Sequence, residues 1–185
     1  MTATETTATG LPPLPGTAPS FFLAGTMQGA RTGSNLIDQS YRAALTSAIR
    51  AHRPDAVIHD PGVLMAEWEA AHPADIRAAH ARLTAVRSVH RAELAPELVD
   101  LTEMFHELTL LAARSDVCVA WLPGHEPSMG TAAEMLSAYR AGRTVVAITA
   151  MRQNLAVLAC STVILPDLPA FTQWLDRAAA GHHAA

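Results

Sequence analysis

The stretch Val117–Leu122 (VCVAWL) is six apolar residues long and is followed by a loop rich in proline and glycine. A short, continuous apolar run of this kind predicts a strand that is buried on both faces of a sheet. Residues 127–141 have the pattern of a helix that ends at Gly142, and Thr144–Thr149 (TVVAIT) predict a second buried strand. The order strand, helix, strand indicates a parallel unit joined by a crossover helix.

The same alternation continues on both sides of this unit. Further strands are predicted at 20–24 (SFFLA), 56–59 (AVIH) and 162–165 (TVIL). Helices are predicted at 38–52, 66–95, 96–114, 154–159 and 169–180. Five apolar strands that alternate with helices match a flavodoxin-like α/β fold, in which a doubly wound parallel sheet is covered on both faces. We therefore predict a single domain over 20–180, a disordered arm over 1–19 and a frayed tail over 181–185.

The composition restricts the classes of function. The chain has 185 residues, 50% of them hydrophobic, and a net charge of -4 without a basic run, so binding to a nucleic acid polymer is not expected. No signal peptide is visible, and no apolar run approaches the ~20 residues that a membrane span needs, which predicts a cytoplasmic protein. All 13 basic residues are arginine, which excludes Schiff-base chemistry on a lysine.

The two cysteines, Cys118 and Cys160, both lie in apolar stretches. No CxxC motif and no Cys/His spacing suggests a zinc site. We therefore expect two buried free thiols, and neither a metal nor a cofactor.

Ligands of doubly wound sheets bind beyond the carboxyl ends of the strands, so the loops after the strands hold the candidate residues. The first loop is Gly25-Thr26-Met27-Gln28-Gly29-Ala30-Arg31. Its glycines and hydroxyl group offer donors for a phosphate or for sugar oxygens, although a plain tight turn would have the same residues. Asp60 follows the second strand, where it either contacts a ligand or begins the turn at Pro61-Gly62.

The loop after the third strand leads into a helix that begins near Ser128 and Gly130, where backbone N–H groups are unpaired. Ser128 also suits a simple N-cap. Glu134 lies about one and a half turns into this helix, within a small and apolar stretch. A structural glutamate there would be solvated or paired. A functional one would face the pocket, where a carboxylate stabilises or traps the oxocarbenium-like state of glycosidic bond cleavage.

Taken together, FFLAGTMQGAR (21–31) and EPSMGTAAEM (126–135) resemble the nucleoside 2-deoxyribosyltransferase superfamily, and especially its nucleoside 5′-monophosphate N-glycosidases. The resemblance implies that Glu134 is the catalytic glutamate. It also implies a doubly wound sheet and a homodimer in which Asn154 contributes to the binding site of the neighbouring subunit. The residues that it implies for binding the 5′-phosphate are Gly25, Thr26, Gly29, Ser128 and Gly130.

Three positions depart from the family pattern. Phe22 stands where many relatives have a tyrosine, and Gln28 stands where the monophosphate hydrolases often have an arginine, for which Arg31 is a substitute. The resemblance still implies that these three residues contact the substrate. The family aspartate of the helix before the third strand is missing from residues 103–108. His106 or Glu103 takes its place; we favour His106, which can donate a proton to a leaving base near neutral pH but would equally suit the surface.

Three functions are compatible with this pattern. The leading hypothesis is hydrolysis of the N-glycosidic bond of a nucleoside 5′-monophosphate. The second is transfer of a deoxyribosyl group between bases on nucleosides. The third is a nucleotide-binding protein without turnover, which the missing aspartate favours and the presence of Glu134 disfavours. In each case the partner is a small nucleoside or nucleotide, with no membrane and no nucleic acid polymer.

Overall fold

The structure, a computed structural model, describes residues 18–27, 38–71 and 76–180. Its strands are β1 (Ser20–Gly25), β2 (Val57–His59), β3 (Val117–Leu122), β4 (Thr144–Thr149) and β5 (Val163–Leu165). They form one sheet in the order β2-β1-β3-β4-β5, and every neighbouring pair is parallel. This strand order is the flavodoxin-like one, so the predicted fold class is confirmed.

The helices are α1 (Ser40–His52), α2 (Pro61–Ala71), α3 (Ile76–Arg82), α4 (Pro96–Arg114), α5 (Met129–Arg140), α6 (Leu155–Cys160) and α7 (Leu168–Ala180). The single helix predicted over 66–95 is wrong. That region contains the end of α2, then α3 and two short 3-10 turns. Helix α2 also begins at Pro61, five residues before the predicted start. Proline suits a first helical position, and the carboxylate of Asp60 accepts a hydrogen bond of 2.8 Å from the amide of Gly62.

Two apolar layers cover the sheet, one on each face. The first layer is formed mainly by α1 and α7, with Leu45 and Trp174 fully buried against odd-numbered residues of β1 and β3. The second layer is formed by α4, α5 and α6, with Leu108 and Met135 buried against the even-numbered residues. Both cysteines are buried free thiols of this second layer, as predicted.

The ends of the predicted domain fall close to the limits of the described residues. Residues 1–17 of the predicted arm and the predicted tail lie outside them. Ala18 is described, and its amide donates a hydrogen bond of 3.0 Å to Asp55. In the part of the chain that the structure describes, no helix is long and apolar enough to cross a membrane.

The sheet changes winding direction between β1 and β3, and this creates the crevice. The chain leaves β1 through α1 on one face, and it leaves β3 through α5 on the opposite face. Because Gly25 pairs with Trp121 in the register of these two strands, their carboxyl ends lie side by side. Such a switch point is where doubly wound sheets bind ligands.

Candidate active site

A cavity of about 320 Å³ opens at the end of β1, between α2, α4 and α5. It brings together four of the residues predicted from the sequence. Its described lining consists of Gly25, Met27, Met65, Leu101, Phe105, Leu108, Ser128, Met129, Gly130, Thr131 and Glu134. Glu134 is the one ionisable side chain among these residues, so the cavity presents a single carboxyl group against a largely apolar wall.

Glu134 projects from the buried side of α5, which also carries Thr131, Met135 and Ala138. Only 7% of the residue is exposed. This burial raises the pKa of the Glu134 carboxyl group to about 8, and the positive charge of Arg42 opposes the rise. The group is therefore largely protonated at neutral pH in the free protein, and it becomes a poorly solvated carboxylate as the pH increases. A strongly raised carboxyl pKa inside a cleft is typical of functional sites.

The start of α5 forms the polar edge of the cavity. Ser128 is the N-cap, and its hydroxyl oxygen accepts hydrogen bonds from the amide of Thr131 at 3.3 Å and from the Thr131 hydroxyl at 2.9 Å. The Ser128 hydroxyl hydrogen and the first amides of the helix remain free to donate. Ser128 is therefore both the N-cap of α5 and a residue that lines the cavity, so the two roles predicted for it are compatible. A helix N-terminus of this kind favours an anion.

Gly25 is required by a close contact across the end of β1. A Cβ atom at this position would overlap the Tyr41 hydroxyl group, and it would lie 2.8 Å from Tyr41 Cζ. Thr26, the next residue, is fully buried. Its carbonyl oxygen accepts a 3.1 Å hydrogen bond from Gln39, whereas its hydroxyl group has no partner within the described part of the chain.

The residues behind Gly25 were missed in the sequence analysis. Arg42 is buried, and its guanidinium group donates to the carbonyl of Leu23 at 2.6 Å, to Asp60 at 3.0 Å and to Gln39 at 2.9 Å. A signal was present in the sequence, because Arg42 precedes Leu45 and Ile49 by three and seven residues, a spacing that places all three on one face of α1. A charged residue on a stripe that faces the core requires partners and indicates a specific role.

Asp60 lies at the end of β2, but it faces Arg42 and the start of α2 and is absent from the described lining of the cavity. Asp60 therefore begins the turn at Pro61-Gly62, which is one of the two roles predicted for it, and it also forms an ion pair with Arg42.

The predicted roles of Phe22 and His106 are not supported by their positions. Phe22 is fully buried in the second apolar layer, because side chains alternate along β1 and its ring points into the α4–α5 layer below the cavity. His106 is exposed on α4 and is not among the described lining residues, whereas Phe105 and Leu108 line the cavity. Successive helical residues differ by about 100°, so His106 points away from the cavity. Glu103 is also exposed and pairs with Arg91 at 2.9 Å.

Asn154 lies outside the main cavity and caps α6. Its side-chain oxygen accepts hydrogen bonds from the amides of Ala156 at 3.0 Å and Val157 at 3.2 Å. It borders a second cavity of about 140 Å³, which shares Ser128 and Met129 with the first. The remaining predicted binding residues, Gln28, Gly29 and Arg31, lie outside the described residues.

Comparisons with known proteins place the chain among solved structures of similar fold. No family profile matches the sequence, and no curated protein matches it. A 2-deoxyribosyltransferase of Bacillus psychrosaccharolyticus is 13% identical with a TM-score of 0.49, over 83% of this chain and 90% of that one. A conserved protein of Enterococcus faecalis V583 is 18% identical with a TM-score of 0.49, over 86% of this chain and 98% of that one.

A CMP N-glycosidase of Clostridium botulinum is 13% identical with a TM-score of 0.41, over 85% of this chain and 97% of that one. These neighbours include both kinds of enzyme that the sequence motifs resemble. At such identities and TM-scores the likeness carries no argument about activity, which has to be inferred from the residues of this chain.

The buried carboxyl group makes the stability of the protein depend on pH. The pKa of Glu134 rises from 4.5 to about 8 on folding, so the folded protein binds a proton that the unfolded chain releases. Its contribution to the free energy of unfolding is therefore fully present below pH 4.5 and is lost as the pH rises towards 8. We expect Glu134→Gln to abolish this loss, which makes the variant more stable than the wild type by on the order of 4 kcal/mol near pH 8.

Urea denaturation across this pH range measures the difference directly. Glu107→Gln is the matched control, because it makes the same change at an exposed position of α4. A difference between Glu134→Gln and wild type that stays constant with pH would contradict the burial of an ionisable group at this position.

Proposed function

We propose that this chain is an enzyme that hydrolyses the N-glycosidic bond of a nucleoside 5′-monophosphate and releases the free base and a (deoxy)ribose 5-phosphate. The observation that carries this proposal is the placement of Glu134. Its buried carboxyl group shares one cavity with the Ser128–Gly130 start of α5, so that a reactive group and an anion-binding edge face the same volume.

The lining of the cavity holds groups that suit both parts of such a substrate. The hydroxyl of Ser128 and the free amides at the start of α5 suit a phosphate dianion better than a neutral hydroxymethyl group. Met65, Leu101 and Phe105 line the same cavity with apolar side chains. Thioether, aliphatic and aromatic groups of this kind suit the face of a nucleobase, which supports a base bound against these side chains.

The proposed reaction uses the carboxylate form of Glu134 as a nucleophile. The carboxylate oxygen attacks the anomeric carbon while the C–N bond breaks and its electron pair leaves with the base. Water then adds to the anomeric carbon and releases the carboxylate. Over the whole reaction, water supplies the hydroxyl group of the sugar product and a proton for the base. Only the ionised carboxyl group attacks, so the rate is expected to rise with pH as Glu134 loses its proton.

Two alternatives use the same cavity. A deoxyribosyltransferase would form the same sugar–Glu134 intermediate and pass it to a second base instead of water. A nucleotide-binding protein without turnover would have the anion-binding edge alone. A simple binder has no need of a buried carboxyl group in the cavity that holds its phosphate, so the position of Glu134 favours an enzyme.

Replacement of the carboxyl group tests the catalytic proposal. Glu134→Gln keeps the size of the side chain and removes the nucleophile, so we expect turnover to fall by at least a hundredfold while substrate binding persists. Release of free base from nucleoside monophosphates, followed by chromatography, measures the rate. If the variant retains more than about a tenth of the wild-type rate, a difference of roughly 1.4 kcal/mol, Glu134 is not the catalytic group.

Substrate pairs that differ only in the phosphate separate the hydrolase from the transferase. We expect kcat/KM for CMP or dCMP to exceed that for cytidine or deoxycytidine by at least tenfold. We also expect Ser128→Ala to raise KM for the monophosphate and leave KM for the nucleoside nearly unchanged, because only the phosphate contacts the helix start. Preference for the nucleoside, together with exchange of bases when an acceptor base is added, would favour the transferase.

The loss of a helix cap has to be separated from the loss of a phosphate contact. Asp167→Ala removes a comparable cap, since the Asp167 carboxylate accepts the amide of Ala170 at 2.9 Å at the start of α7. This position lies away from the cavity, so the variant should lose similar stability without a change in KM.

The proposed enzyme is a homodimer. Large apolar side chains are exposed beside the second cavity, where Met129 is 92% exposed and Leu155 is 79% exposed. Exposed apolar groups of this size typically mark an interface, and Asn154 lies next to them. We expect a dimer in analytical ultracentrifugation at micromolar concentration, and we expect Leu155→Asp to yield monomers with reduced activity. A fully active wild-type monomer would refute this arrangement.

A further inference from the structure

Arg42 is a buried cation that lies outside the cavity but is fixed close to it. Its side chain is 6% exposed and forms an ion pair with Asp60 at 3.0 Å. One of its terminal nitrogens, Nη2, is buried without a hydrogen-bond partner among the residues that the structure describes. Asp60 therefore neutralises the guanidinium charge through a single nitrogen, and it is itself partly exposed to solvent, which weakens its effect. A net positive potential consequently remains around Arg42 in a region of low dielectric.

Tyr41 contacts both Arg42 and the wall of the cavity. The guanidinium group lies 5.0 Å from the centre of the Tyr41 ring. The Tyr41 ring also stacks on Trp121, with the ring centres 5.6 Å apart and the planes 6° from parallel. The Tyr41 hydroxyl group packs against Gly25, which lines the same cavity as Glu134. Because Gly25 has no side chain, no side chain at position 25 lies between the Tyr41 hydroxyl group and the cavity.

We propose that Arg42 is a positioning residue for the reaction at Glu134, and that its buried guanidinium group supplies the fixed positive charge against which the Glu134 carboxylate forms. The catalytic meaning of this inference rests on the proposed function. The electrostatic coupling of the two side chains does not, and it can be measured without a substrate.

The groups around Glu134 support this assignment. From α1, Arg42 lowers the pKa of Glu134, in opposition to its burial. Tyr41 and Cys118 face the same carboxyl group, and burial keeps both neutral by raising their pKa values, that of Tyr41 to about 12. On α4, which packs against α5, His106 and Glu103 are exposed to solvent. Arg42 is thus the one described cation that acts on the Glu134 carboxyl group.

The test is the pKa of Glu134 in four backgrounds, obtained from urea unfolding across pH as the difference between each protein and the same protein with Glu134→Gln. Arg42→Met removes the charge and keeps the length of the side chain, and Arg42→Lys keeps the charge. Asp60→Asn removes the anion that offsets Arg42 and retains the acceptor for the amide of Gly62. Arg50→Met is the matched control, since Arg50 is an exposed arginine of the same helix.

We expect the pKa of Glu134 to rise by about one unit or more in Arg42→Met, to return most of the way in Arg42→Lys and to fall in Asp60→Asn. Arg50→Met should leave it unchanged. The opposite directions for Arg42→Met and Asp60→Asn are decisive, because damage to packing at either position would not produce them. If Arg42→Met does not fold, Asp60→Asn and Arg42→Lys still decide. An unchanged pKa, or shifts in the same direction, would overturn the proposal.

Kinetics then connect the coupling to the reaction. The pH at which kcat/KM for CMP reaches half of its plateau should move with the pKa of Glu134 in every variant. If no variant and no wild-type protein releases base, the proposed function fails, whereas the unfolding experiment still accepts or rejects the coupling of Arg42 to Glu134. If the pKa moves and the kinetic profile does not, Arg42 is coupled to Glu134 without a role in the reaction, and the proposal is rejected.

Discussion

The arrangement of this site depends on the burial of one guanidinium group. A charged group inside a protein is tolerated only if hydrogen bonds and counter-charges replace its water, so the residues around Arg42 have to supply acceptors and a negative charge. It is met by the carbonyl of Leu23 in β1, by Asp60 after β2 and by Gln39 beside α1. Gln39 in turn holds the carbonyl of Thr26. These contacts fix the ends of two strands and the start of a helix relative to one another, and they thereby shape the edge of the cavity.

Opposed physical effects act on the carboxyl group at the centre of the site. Burial favours the neutral acid, because a carboxylate among Met, Leu and Phe side chains loses its hydration. The charge of Arg42 favours the carboxylate. If burial acted alone, the Glu134 carboxyl group would be ionised even less at neutral pH, and if it were solvated its carboxylate would be less reactive in the proposed role. The doubly wound sheet makes the balance possible, since it brings α1 and α5 from opposite faces to one strand end.

The sequence allowed the fold and the centre of the site to be predicted, because both follow from local patterns. Apolar runs such as Val117–Leu122 stand out against helices of 3.6 periodicity, and Glu134 stands out in an apolar stretch. The chemistry of histidine favours His106 as a proton donor, but the apolar spacing of Leu101, Phe105 and Leu108 on the same helix indicates that His106 lies on another face. The prediction of one long helix over 66–95 was wrong, because a weakly amphipathic sequence does not indicate where one helix ends and the next begins.

Arg42 was missed for a different reason. Its importance depends on contacts with Leu23 and Asp60, which are distant in the sequence and meet only after the strands pair. Only its place on a stripe that faces the core was visible beforehand. The same holds for Asp60, which pairs with Arg42 and also accepts a hydrogen bond from the amide of Gly62. The sequence indicated the turn or a ligand contact, but it did not indicate the ion pair.

The contact of Tyr41 with Gly25 restricts how this site can change during evolution. The tyrosine hydroxyl occupies the volume of a side chain at position 25, so Gly25 cannot be replaced while Tyr41 keeps its place. A lineage that acquires alanine or serine at position 25 must first, or at once, accept a smaller residue at position 41, which would also remove the ring that contacts both Trp121 and Arg42. Diverged relatives with a side chain at position 25 should therefore have a smaller residue at position 41, and mutational paths that change position 25 first should be rare.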